Sequence, residues 1–157
     1  MQAAKLALGE SILNTVTAME LGYHVRHCEG IARCLKLVRE VVNRVHLDEL
    51  LVLIDYEAEG AARKAVDKLL GQQQCTCTEW VKGIKCCRCK GGSILIVLFE
   101  NGPEHSLESR GYRLDHALSS LLKSQRLIHE YRSGANTRAI RAVKILANAV
   151  REICTKS

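Results

Sequence analysis

The run Leu-Leu-Val-Leu-Ile at residues 50–54, followed by Asp55-Tyr56-Glu57-Ala58-Glu59-Gly60, constrains this chain more than any other feature. A short aliphatic run with no polar alternation reads as a strand covered on both faces, the kind found in parallel sheets. Parallel neighbours need long crossover connections, usually helical, so strands and helices should alternate along the chain. They do. Residues 5–8 are a short apolar stretch, and Ser11 is placed to cap a helix running to about residue 21, which Gly22 stops. Residues 23–28 alternate as a strand. Residues 31–45 form an amphipathic helix with Ile31, Cys34, Leu35, Val38, Val41, Val42 and Val45 on one face. A helix over 61–70 turns Ala62, Ala65, Val66 and Leu69 inward, and residues 93–99 are a second wholly apolar strand. Two helices, about 114–131 and 137–154, close the chain.

This β-α-β-α-β-α-β order predicts a three-layer α/β protein, with a mostly parallel central sheet of about four strands and flanking helices. A cysteine-rich insertion at 72–92 precedes the last strand. Residues 1–111 read as the α/β domain and 112–157 as a basic C-terminal helical extension. A chain of 157 residues suits one domain, or one with a small appendage. With only 4% aromatic residues in a chain that is 47% hydrophobic, its core must be aliphatic. No apolar run is long enough for a bilayer, and Met1-Gln2-Ala3-Ala4-Lys5 lacks the flank of a signal peptide. The expectation is a cytoplasmic protein with no membrane partner.

Charge is unevenly placed. From Arg110 onward there are ten Lys or Arg against three Asp or Glu, whereas the preceding residues carry thirteen against fourteen. A basic tail joined to a near-neutral body with an acidic cluster suits a protein that brings a polyanion to a metal. A solvated basic surface helix reads equally well from charge alone.

In parallel sheets ligands bind beyond the carboxyl ends of the strands. Glu10, Asp55 and Glu57 lie at such ends, as does the loop 100–110. Carboxylates crowded there raise one another's pKa, and a cation relieves them; hard oxygen ligands suit magnesium or manganese. The alternative for Glu57 and Glu59 is that they begin the next helix, where the dipole favours acids.

These residues resemble the TOPRIM domain of primases, topoisomerases and the 5S ribosomal RNA maturase. The resemblance rests on Leu-Ile-Asp55-Tyr56-Glu57-Ala58-Glu59-Gly60, on the rhythm from Leu8-Gly9-Glu10-Ser11-Ile12 to Leu21-Gly22-Tyr23, and on Glu100-Asn101-Gly102-Pro103-Glu104 through Gly111. It covers about residues 5 to 111 outside the cysteine insertion. In two places the chain departs from the family pattern: Glu57 replaces the second aspartate, and Leu8 stands where the family has its glutamate, with Glu10 two positions on. The resemblance implies that Asp55 and Glu57 bind Mg2+ (or Mn2+) and that Glu10 acts as acid/base at a phosphoryl group. It implies a metal-dependent nucleic-acid-processing protein working by phosphoryl transfer, of nuclease type or related to primases and topoisomerases. The alternative is a non-catalytic nucleic-acid-binding module that keeps the fold.

Five cysteines, Cys75, Cys77, Cys86, Cys87 and Cys89, fall within fifteen residues. Structural zinc held by Cys75, Cys77, Cys86 and Cys89 is one reading, disulfides a second and free thiols a third. Cys28, Cys34 and Cys154 read as small core residues. Lys82, Lys85 and Arg88 share the insertion with Trp80, so it either touches nucleic acid by phosphate contact and base stacking or is a stapled loop without a partner. Arg138, Arg141 and Lys144 recur every three residues opposite Ile140, Val143, Ala147 and Val150, as a phosphate-tracking ridge or an ordinary amphipathic helix. That apolar face is also a candidate for pairing with a second copy of the chain.

Overall fold

A computed structural model describes residues 5–44 and 48–155. Val45, expected on the inner face of the second helix, lies outside the described residues. The chain opens with β1 (Lys5–Gly9), α1 (Ile12–Glu20), β2 (His24–His27), α2 (Ile31–Arg44), β3 (Glu49–Tyr56) and α3 (Ala61–Gln72). It continues through β4 (Thr76–Cys77), β5 (Ile84–Arg88) and β6 (Ile94–Glu100). Helices α4 (Pro103–Ser109), α5 (His116–Leu122), α6 (Arg126–Ser133) and α7 (Thr137–Thr155) complete it.

One sheet runs in the order β2-β1-β3-β6-β5-β4. Neighbours from β2 to β6 are parallel, while β5 is antiparallel to β6 and β4 to β5. The sheet therefore has six strands and is mixed, where the sequence predicts about four, mostly parallel. The two added strands come from the cysteine-rich segment. Lys82 and Gly83 both take positive φ, at 47° and 84°, between Val81 and Ile84, which exchange two backbone hydrogen bonds of 2.8 and 3.0 Å. That is a two-residue hairpin turn, and it sends the chain back along β6. Ile84, Cys86 and Cys87 are wholly buried, so the segment is part of the sheet's core.

Strand alternation sorts the core into two layers. Ala7, Leu51, Leu53, Ile84, Cys86, Val97 and Phe99 face α1 and α4 to α7. Leu8, Leu50, Val52, Ile54, Cys87, Ile96 and Leu98 face α2 and α3. Leu118, Leu127, Ala139, Val143 and Leu146 of the last three helices belong to the first layer: α7 packs on β5 and α1, α6 on α1 and α7, and α5 on α6 and α7. The three-layer α/β architecture follows.

Local signals account for most boundaries. Ser11 accepts a hydrogen bond from the Asn14 backbone N–H at 3.1 Å and caps α1, and Asp115 does the same for α5 through Leu118 at 2.8 Å. Three expectations need correction. The helix expected over 114–131 is two helices, α5 ending at Leu122 and α6 beginning at Arg126, with the Ser124 hydroxyl accepting from the Arg126 N–H at 3.1 Å in the turn between them. Residues 103–109 of the expected loop are helical, opening on Pro103 after Gly102 at φ 96°. Val42, expected inward on α2, is 38% exposed.

Candidate functional site

Gly9 ends β1 with Thr15 of α1 packed onto its Cα; a Cβ there would stand 2.6 to 2.7 Å from Thr15 atoms. The next residue, Glu10, reaches toward β3. The Glu10 N–H donates to the Leu53 carbonyl at 3.1 Å, and the Glu10 carboxylate accepts from the Asp55 N–H at 3.1 Å. Leu8, where the resemblance would place a glutamate, is fully buried on the other face.

Asp55 lies within β3, which runs on to Tyr56, and points to the α1 face like Leu51 and Leu53. There the buried Asn14 donates its side-chain N–H to Asp55 Oδ1 at 3.0 Å, while the Asn14 Oδ1 has no hydrogen-bond partner. On the far side, β6 pairs with β3 in a register that sets Asp55 opposite Phe99. The turn at Gly102 then returns Glu104 to the cluster. A Cβ on Gly102 would lie 3.2 Å from Glu104 Oε2 and 3.8 Å from Asp55 Oδ2, so both carboxylates stand beside this turn.

Glu10, Asp55, Glu57 and Glu104 thus form one electrostatic group. Burial, and secondly the Asp55 charge, push the Glu10 carboxyl up to about 7, with Glu57 adding to the shift. Burial pushes Asp55 up to about 6, against the Asn14 hydrogen bond and with help from Glu104 and Glu57. Glu57 is exposed. Glu59, expected either as a third acidic contact or as a first-turn residue, is exposed and precedes the N-cap Gly60, so it stands outside the first turn of α3. Among the described residues, no three His, Cys, Asp or Glu side chains are already arranged as a metal-ligating set. The donor chemistry nonetheless fits a hard divalent ion: two desolvated carboxylates whose charged forms are disfavoured, beside two more of the same sign. Glu104 and Asn14 received no role from sequence reasoning, although Glu104 belongs to the acid-and-glycine loop and Asn14 interrupts an apolar helix.

The cysteines pair as Cys28–Cys34, Cys75–Cys89, Cys77–Cys87 and Cys86–Cys154. The expected zinc set of Cys75, Cys77, Cys86 and Cys89 does not assemble. Cys86 faces the α7 layer and bonds Cys154, whereas Cys87 and Cys89 belong to the α2–α3 layer. Cys28, Cys34 and Cys154 are buried as expected but bonded.

The basic residues expected to meet nucleic acid are dispersed. Lys82 sits in the hairpin turn at the acidic end of the sheet, where its carbonyl accepts from Ser106 at 2.9 Å and Arg110 at 2.9 Å. Lys85 lies over the Trp80 ring at 4.7 Å, and Trp80 is tilted against Tyr56 at 5.7 Å. Arg88 is at the other end of β5, donating to the Cys154 carbonyl at 2.6 Å. On α7, Arg138 pairs with Asp115 at 2.6 Å and Lys144 with Glu20 at 3.6 Å. Arg141 lines a cleft of about 350 Å³ with Tyr112, Arg113, Thr137 and Arg138. The face of α7 expected to be available for a second copy is occupied within the fold, since Val143, Ala147 and Val150 are buried.

No protein-family model matches the chain, and no curated protein matches it. Fold and site together define an α/β protein with a mixed six-stranded sheet and a carboxylate cluster at the ends of its parallel strands. Among the described residues, no helix is long and apolar enough to cross a membrane.

Proposed function

We propose that this chain is a TOPRIM-type protein that processes nucleic acid with a divalent cation held at the Asp55 cluster. The observation that carries the reading is the hydrogen-bonded meeting of Glu10 with Asp55 at the carboxyl ends of adjacent parallel strands. Two features add to it: the charge coupling to Glu57 and Glu104, and the buried amide of Asn14 that orients Asp55.

Asp55, with Glu57 and Glu104, would hold magnesium or manganese. A bound ion supplies neutralisation of charge on phosphate oxygens. Glu10, titrating near neutrality, is suited to take a proton from an attacking hydroxyl or water and return it to the leaving oxygen. Asn14 keeps Asp55 in place, and Asp55 in turn anchors Glu10 through its backbone N–H. Lys82 and Arg110, at the same end of the sheet, are positioned to meet the phosphodiester backbone. Trp80 beside Tyr56 offers a face for a base.

Labelled DNA and RNA, single-stranded and duplex, incubated with magnesium or manganese test this. Wild type should cut at least one of them, and Asp55→Ala and Glu10→Ala should each lose on the order of 100-fold or more. A second reading, a non-catalytic nucleic-acid-binding module, is favoured by the absence of a ready-made ligand triad among the described residues. Binding without cleavage by the wild type would select it and reject the enzymatic one.

A further inference from the structure

Cys75 and Cys77 are two residues apart, as are Cys87 and Cys89, and the hairpin register sets Cys77 directly opposite Cys87. Cys75 is bonded to Cys89 two residue pairs further on, beyond the Thr76–Arg88 pair. The Cα atoms of the two pairs are only 4.0 and 3.8 Å apart. With the period of two along a strand, all four sulfurs leave the same face of the hairpin, the α2–α3 side, where Cys75, Cys87 and Cys89 pack. Cys86, one residue out of phase, is turned away.

We propose that these four cysteines, Cys75, Cys77, Cys87 and Cys89, form a four-thiolate zinc site once the two disulfides joining them are reduced. Zinc holds four sulfurs at about 2.3 Å in a tetrahedron, which sets them roughly 3.8 Å from one another. Rungs two residues apart are separated by about 6.6 Å along a strand, and cysteine side chains leaning toward each other close that gap. The frame is held by main-chain bonds that reduction leaves intact: Cys75 N–H to the Leu70 carbonyl at 3.0 Å, Lys90 N–H to the Gln73 carbonyl at 3.0 Å and Cys89 N–H to the Ile94 carbonyl at 3.0 Å.

Each hairpin disulfide joins an accessible cysteine to a buried one, Cys87 at 0% and Cys89 at 4% exposed, whereas both members of the other two bridges are buried. Cys77 is exposed and Cys75 half-buried, so an attacking thiolate reaches both hairpin bridges. Cys28, Cys34, Cys86 and Cys154 are all at most 5% exposed. The chemistry balances with a dithiol reductant: each hairpin disulfide takes up two electrons and two protons as one dithiol closes to its own disulfide. Zinc then displaces the four thiol protons. The hairpin therefore alternates between a doubly bridged oxidised state and a zinc-bound reduced state. This rests on the sulfur geometry and is independent of the acidic site.

The native chain is treated with a dithiol, given zinc or cobalt, and desalted. About one metal ion per chain should remain, and cobalt should show the spectrum of a tetrahedral four-sulfur site. Alkylation of the folded, reduced chain followed by mass spectrometry should find the accessible Cys75 and Cys77 protected by zinc and modified without it. Cys77→Ser/Cys87→Ser should retain no ion, while Cys86→Ala/Cys154→Ala and Asp55→Ala retain it. Loss of fold on reduction, no retained zinc, zinc undiminished in Cys77→Ser/Cys87→Ser, or zinc protection that includes Cys86 would each overturn the proposal. Should Cys86→Ala/Cys154→Ala fail to fold, the alkylation pattern of the wild type decides alone.

Discussion

Glu10 and Asp55 hold protons into a pH range where exposed carboxylates have lost them, because burial disfavours their charged forms. The folded state thus binds these protons more tightly than the unfolded chain. In chelator, their contribution to stability is complete below the ordinary carboxylate range and declines as pH rises through about 6 for Asp55 and about 7 for Glu10. Urea denaturation across this range should therefore show a falling midpoint, and Glu10→Gln should flatten that fall toward neutral pH. An identical pH profile for the variant would contradict the assignment. Asp55 was legible in the sequence, since a carboxylate directly after Leu-Val-Leu-Ile demands a reason. Glu104 was not, because its approach depends on the β3–β6 register and on the positive φ of Gly102, neither of which local pattern reveals.

Contacts between elements decide how the cluster is held. Thr15 of α1 lies on the bare Cα of Gly9, and backbone atoms of the helix cannot step aside cheaply. Gly9→Ala should cost about 1–3 kcal/mol in thermal or urea unfolding and weaken divalent-ion binding by displacing Glu10. The Cys86–Cys154 bridge joins β5 to the end of α7 across 68 residues. Cys154→Ser should lower unfolding free energy by roughly 2–4 kcal/mol, measured without reductant. Helices α1, α2, α3 and α7 were readable from caps and periodicity. The β4–β5 hairpin was not. Its Lys82-Gly83 turn lacks the usual Asn-Gly signal, and its cysteines, counted as metal ligands, are also the small apolar residues that let β5 lie buried beside β6.

Across the whole molecule, the basic excess of the last third is partly neutralised within the fold, where Arg138 pairs with Asp115 and Lys144 with Glu20. The cleft lined by Arg113, Arg138 and Arg141 concentrates the part of it that faces solvent. If nucleic acid is the partner, Arg113→Ala/Arg141→Ala should weaken binding across sequences and reduce the salt dependence by about 2 in slope, read by fluorescence anisotropy at several salt concentrations. Four disulfides bear on the expected reducing surroundings, since such bonds persist in oxidising compartments or inside hyperthermophiles. The central claim concerns the acidic strand ends. Calorimetric titration of manganese into metal-stripped protein at about pH 8, where both carboxyls are charged, addresses it most directly. The account predicts saturable binding that Asp55→Ala abolishes and Glu10→Gln weakens. No binding by the wild type, or undiminished binding by Asp55→Ala, would contradict it.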